Sequence, residues 1–336
     1  MRILGKEKLR VAIIGLGKMG LLHSSILNVL PNAELVALCD RSAVILRFSK
    51  KIFGRAGVHV VRDIEELSGL DLDCVYVTTP IFSHSAVVKR VYLSGIARNL
   101  FVEKTLASSY GKSKELCELA QRFGGINMVG FMKRFSVTFR KAKDLLAQKS
   151  LGEVASFEGY AYSSDFLGIN KDSKKVALRG GALRDSGCHV IDLALCFFGD
   201  LQVNSADPQP LTQQAQNSVC FSVRTLNGLK GKFSVSQSME NYRLPEMGLL
   251  IKGSRGVMKV NDDELDLKLN DGKSSTWYRH DLNDNVDFWL GEPVYFREDQ
   301  YFIESILNGR NAEPSFQDAS KVDQIIDQIE CRDGNK

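Results

Sequence analysis

The first 130 residues alternate between short apolar runs and segments in which apolar side chains recur every three or four residues. The runs are bounded by charge, glycine or proline, a pattern typical of strands buried on both faces of a parallel sheet. The predicted strands cover 11–14, 34–39, 58–61, 73–78, 99–103 and 126–130. Because helical segments separate them, we predict a doubly wound α/β domain over residues 1–130.

The first predicted helix of this domain follows the glycine-rich residues 15–20. The other predicted helices cover 42–53, 64–67, 83–94 and 110–123. Ser42 is placed to cap the helix that follows it. Val44, Ile45 and Phe48 lie on one face of that helix.

The pattern changes after a predicted helix over 135–148. A strand over 153–162 precedes one strongly apolar helix, Asp185–Phe198, which ends at Gly199. Further strands are predicted over 218–224, 231–237, 248–252, 257–260 and 265–269, and two amphipathic helices over 298–308 and 316–330. Turn pairs such as Asn227-Gly228 between strands favour antiparallel pairing. We therefore predict an α+β domain over residues 131–336 with a mostly antiparallel sheet.

Three glycines, Gly15, Gly17 and Gly20, follow the first strand in G-x-G-x-x-G spacing. Gly15 permits a tight turn, Gly17 allows a pyrophosphate to approach bare backbone, and Gly20 allows close packing of helix on strand. The helix amides then face the phosphates with the positive end of the helix dipole. This motif by itself is common, so the structural context of the turn has to support it.

The context is an acid at the end of the second predicted strand. Asp40 lies 20 residues after Gly20 in the sequence. At this spacing a carboxylate binds the adenosine ribose hydroxyls of a dinucleotide. A carboxylate there repels a 2′-phosphate and favours NAD, whereas the adjacent Arg41 leaves NADP possible. We therefore predict a nicotinamide dinucleotide site.

Composition and charge narrow the function classes. The 336 residues are 44% hydrophobic and 25% charged, with a net charge of +4, which is typical of a globular protein. Because the basic residues are scattered, nucleic-acid binding has no support. The seven cysteines form no C-x-x-C pair and indicate reduced thiols. No leader-like or membrane-spanning apolar run is present, so we expect a soluble, cytoplasmic protein with no membrane partner.

Two local groups are candidates for chemistry. Glu103-Lys104-Thr105 places a cation at the end of the fifth predicted strand, where open α/β sheets bind ligands. Asp185, His189 and Asp192 have i, i+4 and i+3 spacing and can share one helix face. A histidine between carboxylates suits a proton acceptor near neutral pH, although a capping aspartate with a core histidine fits these residues too. A metal site is not predicted, since no second ligand cluster accompanies His189.

In combination these motifs resemble the Gfo/Idh/MocA oxidoreductase family, which includes glucose–fructose oxidoreductase and inositol dehydrogenase. The resemblance runs from about Leu9 to the closing helix and includes Thr79-Pro80, Glu103-Lys104 and the segment Gly180–Asp192. It implies a Rossmann domain followed by an open antiparallel sheet whose outer face forms oligomer contacts. Thr105 departs from the family pattern, in which proline follows the lysine.

The resemblance also implies residue roles. Lys104 would contact the reacting hydroxyl, His189 would be the general base, and Asp185 would bind and polarise the substrate. The expected cofactor contacts are Gly15, Gly17, Lys18, Met19, Gly20, Asp40, Arg41, Thr79, Pro80, His84, Glu103 and Lys104. The expected substrate contacts are Lys104, Arg134, Tyr162, Asp185 and His189. For Arg134, the partner is either an anionic group of the substrate or a surface carboxylate of the protein.

The predicted activity is hydride transfer between NAD, or NADP, and a secondary hydroxyl or ketone of a sugar, cyclitol or nucleotide-sugar. The expected partners are this small sugar-like substrate and further copies of the chain, as a dimer or tetramer through the C-terminal sheet. Two alternatives stay open: an enzyme that cycles a tightly bound cofactor, and a dinucleotide-binding regulator of the same fold without turnover.

Overall fold

The computed structural model describes residues 7–54, 57–169, 176, 179–207 and 217–333. The helices of these residues are α1 (Lys18–Val29), α2 (Ala43–Phe53), α3 (Ile81–Leu93), α4 (Tyr110–Phe123), α5 (Val137–Ala147), α6 (Cys188–Phe198), α7 (Pro293–Leu307) and α8 (Phe316–Asp333). Short 3₁₀ turns lie at Ile64–Leu67, Met132–Phe135 and Arg279–Leu282, and one π turn at Leu183–Gly187.

The strands of the first sheet are β1 (Leu9–Ile14), β2 (Ala33–Cys39), β3 (His59–Val61), β4 (Cys74–Val77), β5 (Asn99–Glu103) and β6 (Asn127–Gly130). They pair in parallel in the order β3-β2-β1-β4-β5-β6. The chain order reverses between β1 and β4, which is the switch point at which open α/β sheets bind ligands. The predicted doubly wound sheet is confirmed.

Large aromatic side chains fill the core beside β4 and β5. Tyr76 stacks on Phe101 with ring centroids 4.5 Å apart, and Phe302 from α7 packs against both rings. All three are buried. A helix from the C-terminal part of the sequence therefore covers this side of the first sheet.

The apolar face of α2 is largely exposed. Ser42 caps the helix as expected, since its side chain accepts from the amide of Ile45. However, Val44 is 79% exposed and Phe48 is 54% exposed. Along this helix only Ser49 is buried.

The second sheet comprises β7 (Val154–Tyr162), β8 (Leu201–Asp207), β9 (Ser218–Thr225), β10 (Lys230–Ser236), β11 (Glu246–Gly253), β12 (Gly256–Asn261), β13 (Glu264–Leu269) and β14 (Ser274–Tyr278). Its order is β14-β13-β12-β11-β7-β10-β9-β8. The strands pair antiparallel except β7 with β10, which are parallel. The α+β prediction is confirmed, and the sequence pattern missed the two edge strands.

Alternation along β7 separates the two faces of this sheet. Phe157, Gly159 and Ala161 face inward, while Glu158 and Tyr160 face outward. A Cβ on Gly159 would lie 2.9 Å from the side chain of Val190, so α6 packs closely over this strand. Glycine at this position brings α6, with His189 on it, close to the sheet.

By contacts, the chain divides into two compact units. The first comprises residues 1–131 and 286–323, and the second comprises 132–285 and 324–336. The predicted boundary at 130/131 did not anticipate that 286–323, which contains α7, groups with the first sheet. An apolar pattern records that a helix has a buried face, but not which sheet buries it.

Candidate functional site

The glycine turn between β1 and α1 is closed by contact with the end of β4. Gly15 has φ +100°, and a Cβ there would lie 2.7 Å from the backbone nitrogen of Thr79. A Cβ on Gly20 would lie 1.8 Å from the carbonyl oxygen of Gly15. In contrast, a Cβ on Gly17 would meet no atom of the described residues within 4 Å. The turn is therefore tight on two sides and open at Gly17.

Thr78 locks this turn, a role that the sequence reading did not assign. Its hydroxyl donates to the carbonyl of Gly15 at 2.6 Å, and its amide donates to the carbonyl of Ile14. The side chain is buried. The available signal was its position at the carboxyl end of the strand beside β1.

Asp40 lies at the end of β2 and is half-buried. Its two carboxylate oxygens accept from the amides of Leu16 and Ser42, at 2.7 and 2.8 Å. These bonds fix the carboxylate beside the glycine turn, and its remaining lone pairs can accept from hydroxyls. Arg41 next to it is exposed. The open position at Gly17, the α1 amides and this carboxylate fit the pyrophosphate and ribose of a dinucleotide.

The other expected cofactor contacts differ in exposure. Lys18 and Pro80 are exposed, and Met19 and Thr79 are half-buried. His84 is instead buried.

The ring nitrogens of His84 lie 2.7 Å from the carbonyl oxygen of Thr79 and 2.9 Å from that of Thr105. Burial lowers the pKa of His84, and the hydrogen bonds to both carbonyls act against that shift. These contacts favour support of the two flanking loops over direct contact with a cofactor.

Lys104 follows β5 and is half-buried. Its amide donates to Oε2 of Glu103 at 3.0 Å. The peptide bond between Lys104 and Thr105 is cis, and the hydroxyl of Thr105 donates to the carbonyl of Ala107. Thr105 is thus buried and hydrogen-bonded in the place where the family pattern has proline.

In the second unit, the backbone departs from the helix predicted to begin at Asp185. Residues Leu183–Gly187 form a π turn, and α6 begins at Cys188. A Cβ on Gly187 would lie 3.2 Å from Val235, so the turn lies against β10. A π turn shifts the register of side chains around the helix and is frequent at functional sites.

The carboxylate of Asp185 is held by two partners that the sequence reading did not connect to it. Gln237, fully buried at the end of β10, donates from its amide to Oδ2 at 2.6 Å. Arg179 forms an ion pair with the same oxygen at 2.5 Å and another with Asp165 at 3.1 Å. Gln237 lies 52 residues away in sequence, and no local motif links it to Asp185.

His189 and Asp192 lie on the buried part of α6, with exposures of 4% and 1%. Asp192 accepts two hydrogen bonds from Arg134, from Nε and Nη2, both at 2.7 Å. This bidentate arrangement is the strong form of a carboxylate–guanidinium pair. Arg134 therefore supports the helix that carries His189. Of the two partners expected from the sequence, this favours a protein carboxylate over the substrate, and hence a positioning role.

Tyr162 is not brought together with His189. It follows Glu158 and Tyr160 on the outward face of β7, and its ring lies 5.1 Å from that of Tyr242. Gly159, which α6 packs against, belongs to the opposite face. Because side chains alternate along a strand, Tyr162 lies across the sheet from α6.

Among the described residues, one cluster combines side chains of the types that bind metal ions: His23, Glu298 and Asp299. Their potential ligand atoms lie within 4.8 Å of one another. Both ring nitrogens of His23 already lie within hydrogen-bond distance of carboxylates. We therefore treat the set as an ionic cluster.

Comparison with known families matches both units. Residues 9–131 match the model described as the oxidoreductase family with an NAD-binding Rossmann fold, and residues 139–259 match the GFO/IDH/MocA C-terminal domain. No helix in the described part of the chain has the length and apolar character needed to cross a membrane.

Individual relatives have low sequence identity to this chain. An uncharacterized oxidoreductase of Schizosaccharomyces pombe is 28% identical over 79% of this chain and 74% of its own length. Inositol 2-dehydrogenase of Rhizobium meliloti is 25% identical over 92% of each chain. A levoglucosan dehydrogenase solved in complex with NADH superposes with a TM-score of 0.83 at 21% identity, covering 96% of each chain. That structural likeness shows the fold.

Proposed function

The chain belongs to the GFO/IDH/MocA family of NAD-binding oxidoreductases, and on that premise we propose that it interconverts a secondary hydroxyl and a ketone on a sugar, cyclitol or nucleotide-sugar. The observation that carries the proposal is the combination of a glycine turn fitted to a dinucleotide with the Asp185–His189 segment in one chain. Relatives named as inositol and scyllo-inositol dehydrogenases support the substrate class.

In the proposed mechanism, His189 accepts the proton of the substrate hydroxyl, because removal of that proton eases loss of the hydride from the same carbon. The ammonium of Lys104 stabilises the negative charge that develops on oxygen. When bound, the nicotinamide supplies the redox chemistry by accepting or returning the hydride.

Asp185 binds and orients the substrate in this proposal. Gln237 and Arg179 hold its carboxylate in a fixed direction, which lowers the cost of ordering it when the substrate binds. Arg134 and Asp192 act one step further away by keeping α6, and thus His189, in place.

For the cofactor we propose contacts from the glycine turn, from Asp40 and from the loop after β4. Asp40 favours NAD over NADP because a 2′-phosphate would meet a fixed carboxylate. Arg41 is exposed beside it, so the chain retains one cation that a 2′-phosphate can recruit.

We also propose that the chain forms a homo-oligomer through the outward face of the second sheet. A groove of about 680 Å³ on this face is lined by Tyr160, Tyr162 and Tyr242 together with Leu250. Aromatic side chains around a half-buried leucine are typical of protein interfaces.

The first experiment measures the absorbance of reduced nicotinamide while the protein is offered NAD or NADP with free sugars, cyclitols and nucleotide-sugars. His189→Asn is expected to lower turnover by about 10²–10⁴-fold, the usual effect of losing a general base. His280→Asn is the matched control, since that histidine is 77% exposed.

Equal turnover of His189→Asn and the wild type would contradict the assignment of the base. If no substrate reacts although NAD raises the melting temperature, the chain is a regulator or an enzyme that cycles a tightly bound cofactor. Release of NAD or NADH on denaturation separates these two outcomes.

A further inference from the structure

A buried ionic chain runs from α7 to the backbone of Lys104. Both carboxylate oxygens of Asp299 lie 2.9 Å from Nδ1 of His23, and Oε1 of Glu103 lies 3.0 Å from Nε2. Oε2 of Glu103 then accepts the amide of Lys104 at 3.0 Å. The side chains of His23 and Asp299 are fully buried, and that of Glu103 is 10% exposed.

The arrangement favours a doubly protonated ring. A carboxylate only accepts hydrogen bonds, so two carboxylates on the two ring nitrogens require a hydrogen on each nitrogen. Burial alone would lower the pKa of His23, but the charges and hydrogen bonds of Asp299 and Glu103 raise it well above its ordinary value. An imidazolium has no free lone pair, which also argues against metal binding here.

Other groups face the same ring. Glu298 on α7 adds a third carboxylate near His23 and Asp299. Tyr76 on β4 and Tyr295 on α7 approach with ring centroids 5.6 and 6.3 Å from that of His23, and Phe101 lies at 5.1 Å. The acids favour the cation, and the aromatic rings restrict rotation of the imidazole.

We propose that His23 is a positioning residue: held as a cation by Asp299, it fixes the carboxylate of Glu103, which in turn fixes the backbone and direction of Lys104. The inference rests on the proposed role of Lys104 in catalysis. Loss of the charge on His23 leaves the buried carboxylate of Glu103 without the cation that contacts its Oε1, and burial of a carboxylate without such compensation is costly.

The test uses Asp299→Asn, which keeps the shape of the side chain and removes its charge. His23 then loses its proton at a lower pH, so kcat/KM falls as pH rises, on the order of tenfold per pH unit above the lowered pKa. The wild type keeps its activity over that range. Deprotonation of the general base His189 changes kcat/KM in the opposite direction, because it raises kcat/KM as pH increases.

Controls separate this role from a structural one. If Asp299→Asn lowers kcat/KM by the same factor at every pH, Asp299 only supports folding and the proposal is overturned. Tyr92→Phe removes a buried hydroxyl on α3 in the same unit and leaves the pH profile unchanged. If Asp299→Asn does not fold, the protonation state of His23 in the wild type, measured by nitrogen-15 NMR, tests the proposal instead.

A second readout needs no substrate. Nitrogen-15 NMR of labelled histidines is expected to show hydrogens on both nitrogens of His23 between about pH 7.5 and 8.5, where an unperturbed histidine with a pKa of about 6.5 is mostly neutral. Exchange of the Lys104 amide hydrogen is expected to be faster in Asp299→Asn than in the wild type at the upper end of this range. A neutral His23 ring in the wild type near pH 7 overturns the proposal.

If the NMR results hold but no substrate is turned over, the positioning of Lys104 stands and the proposed function fails.

Discussion

At the scale of single residues, the ion pairs of this chain differ in how far they are shielded from water. Arg134 and Asp192 are 12% and 1% exposed at their side chains, whereas Lys149 and Glu153 are 77% and 88% exposed. Water screens the second pair but not the first. Substitutions at the two pairs are therefore expected to differ in energy although the charges are alike.

Arg134→Met is expected to lower the free energy of unfolding by about 3–5 kcal/mol, because Asp192 is left as a buried charge. Denaturant unfolding measures the loss. Lys149→Met, at the exposed pair, is expected to cost about 0–1 kcal/mol. Adding Asp192→Leu to Arg134→Met should recover part of the stability, and equal losses for the two single variants would contradict this account.

His23 predicts how stability depends on pH. Its pKa is raised in the folded state, so its proton contributes stability that is fully present below the unfolded value of about 6.5 and is lost as pH rises through the folded pKa. The free energy of unfolding of the wild type should exceed that of Asp299→Asn most at the acidic end. A difference that instead grew with pH would show that His23 is neutral when folded.

At the scale of elements, close packing depends on positions where a side chain would not fit. Gly159 on β7 is one, since an added Cβ would lie 2.7 Å from Phe233 and 2.9 Å from Val190. Gly111 is its opposite, because it lies in α4 with no described atom within 4 Å of an added Cβ.

Gly159→Ala is expected to destabilise the protein by about 1–3 kcal/mol through overpacking against α6. Gly111→Ala is the matched control and should stabilise by about 0.5–1 kcal/mol, because alanine loses less backbone entropy than glycine in a helix. Urea unfolding measures both variants. If Gly159→Ala left the free energy of unfolding unchanged, α6 would be able to move away from the sheet at no cost.

At the scale of the whole molecule, the outward face of the second sheet is the proposed contact between copies of the chain. Leu250→Glu places a charge in the groove beside Tyr160 and should lower the molar mass measured by light scattering. Leu93→Glu, at a 64% exposed leucine on α3, should leave the mass unchanged. A wild type that is monomeric at all accessible concentrations would refute the proposed oligomer.

Much of the fold follows from sequence pattern because its signals are local. The glycine turn, the strand ends and the predicted limits of β5 and α4 agree with the structure, since apolar period and turn residues act over a few positions. The edge strands β8 and β14 were missed. Each pairs with a neighbouring strand along one edge only, and its alternation of apolar and polar residues is weaker. The π turn before α6 was missed because its residues are also compatible with an α-helix.

The sequence by itself determined the parallel and antiparallel sheets, the dinucleotide turn and the candidates Lys104, Asp185 and His189, because these depend on spacing along the chain. Only the tertiary structure decided which partners hold them. Gln237 reaches Asp185, Arg134 reaches Asp192, and Asp299 reaches His23 across 276 residues. Such contacts join segments that are far apart in sequence. They are stabilising because they pair polar or charged groups that folding has removed from water, and that environment exists only once the chain has folded.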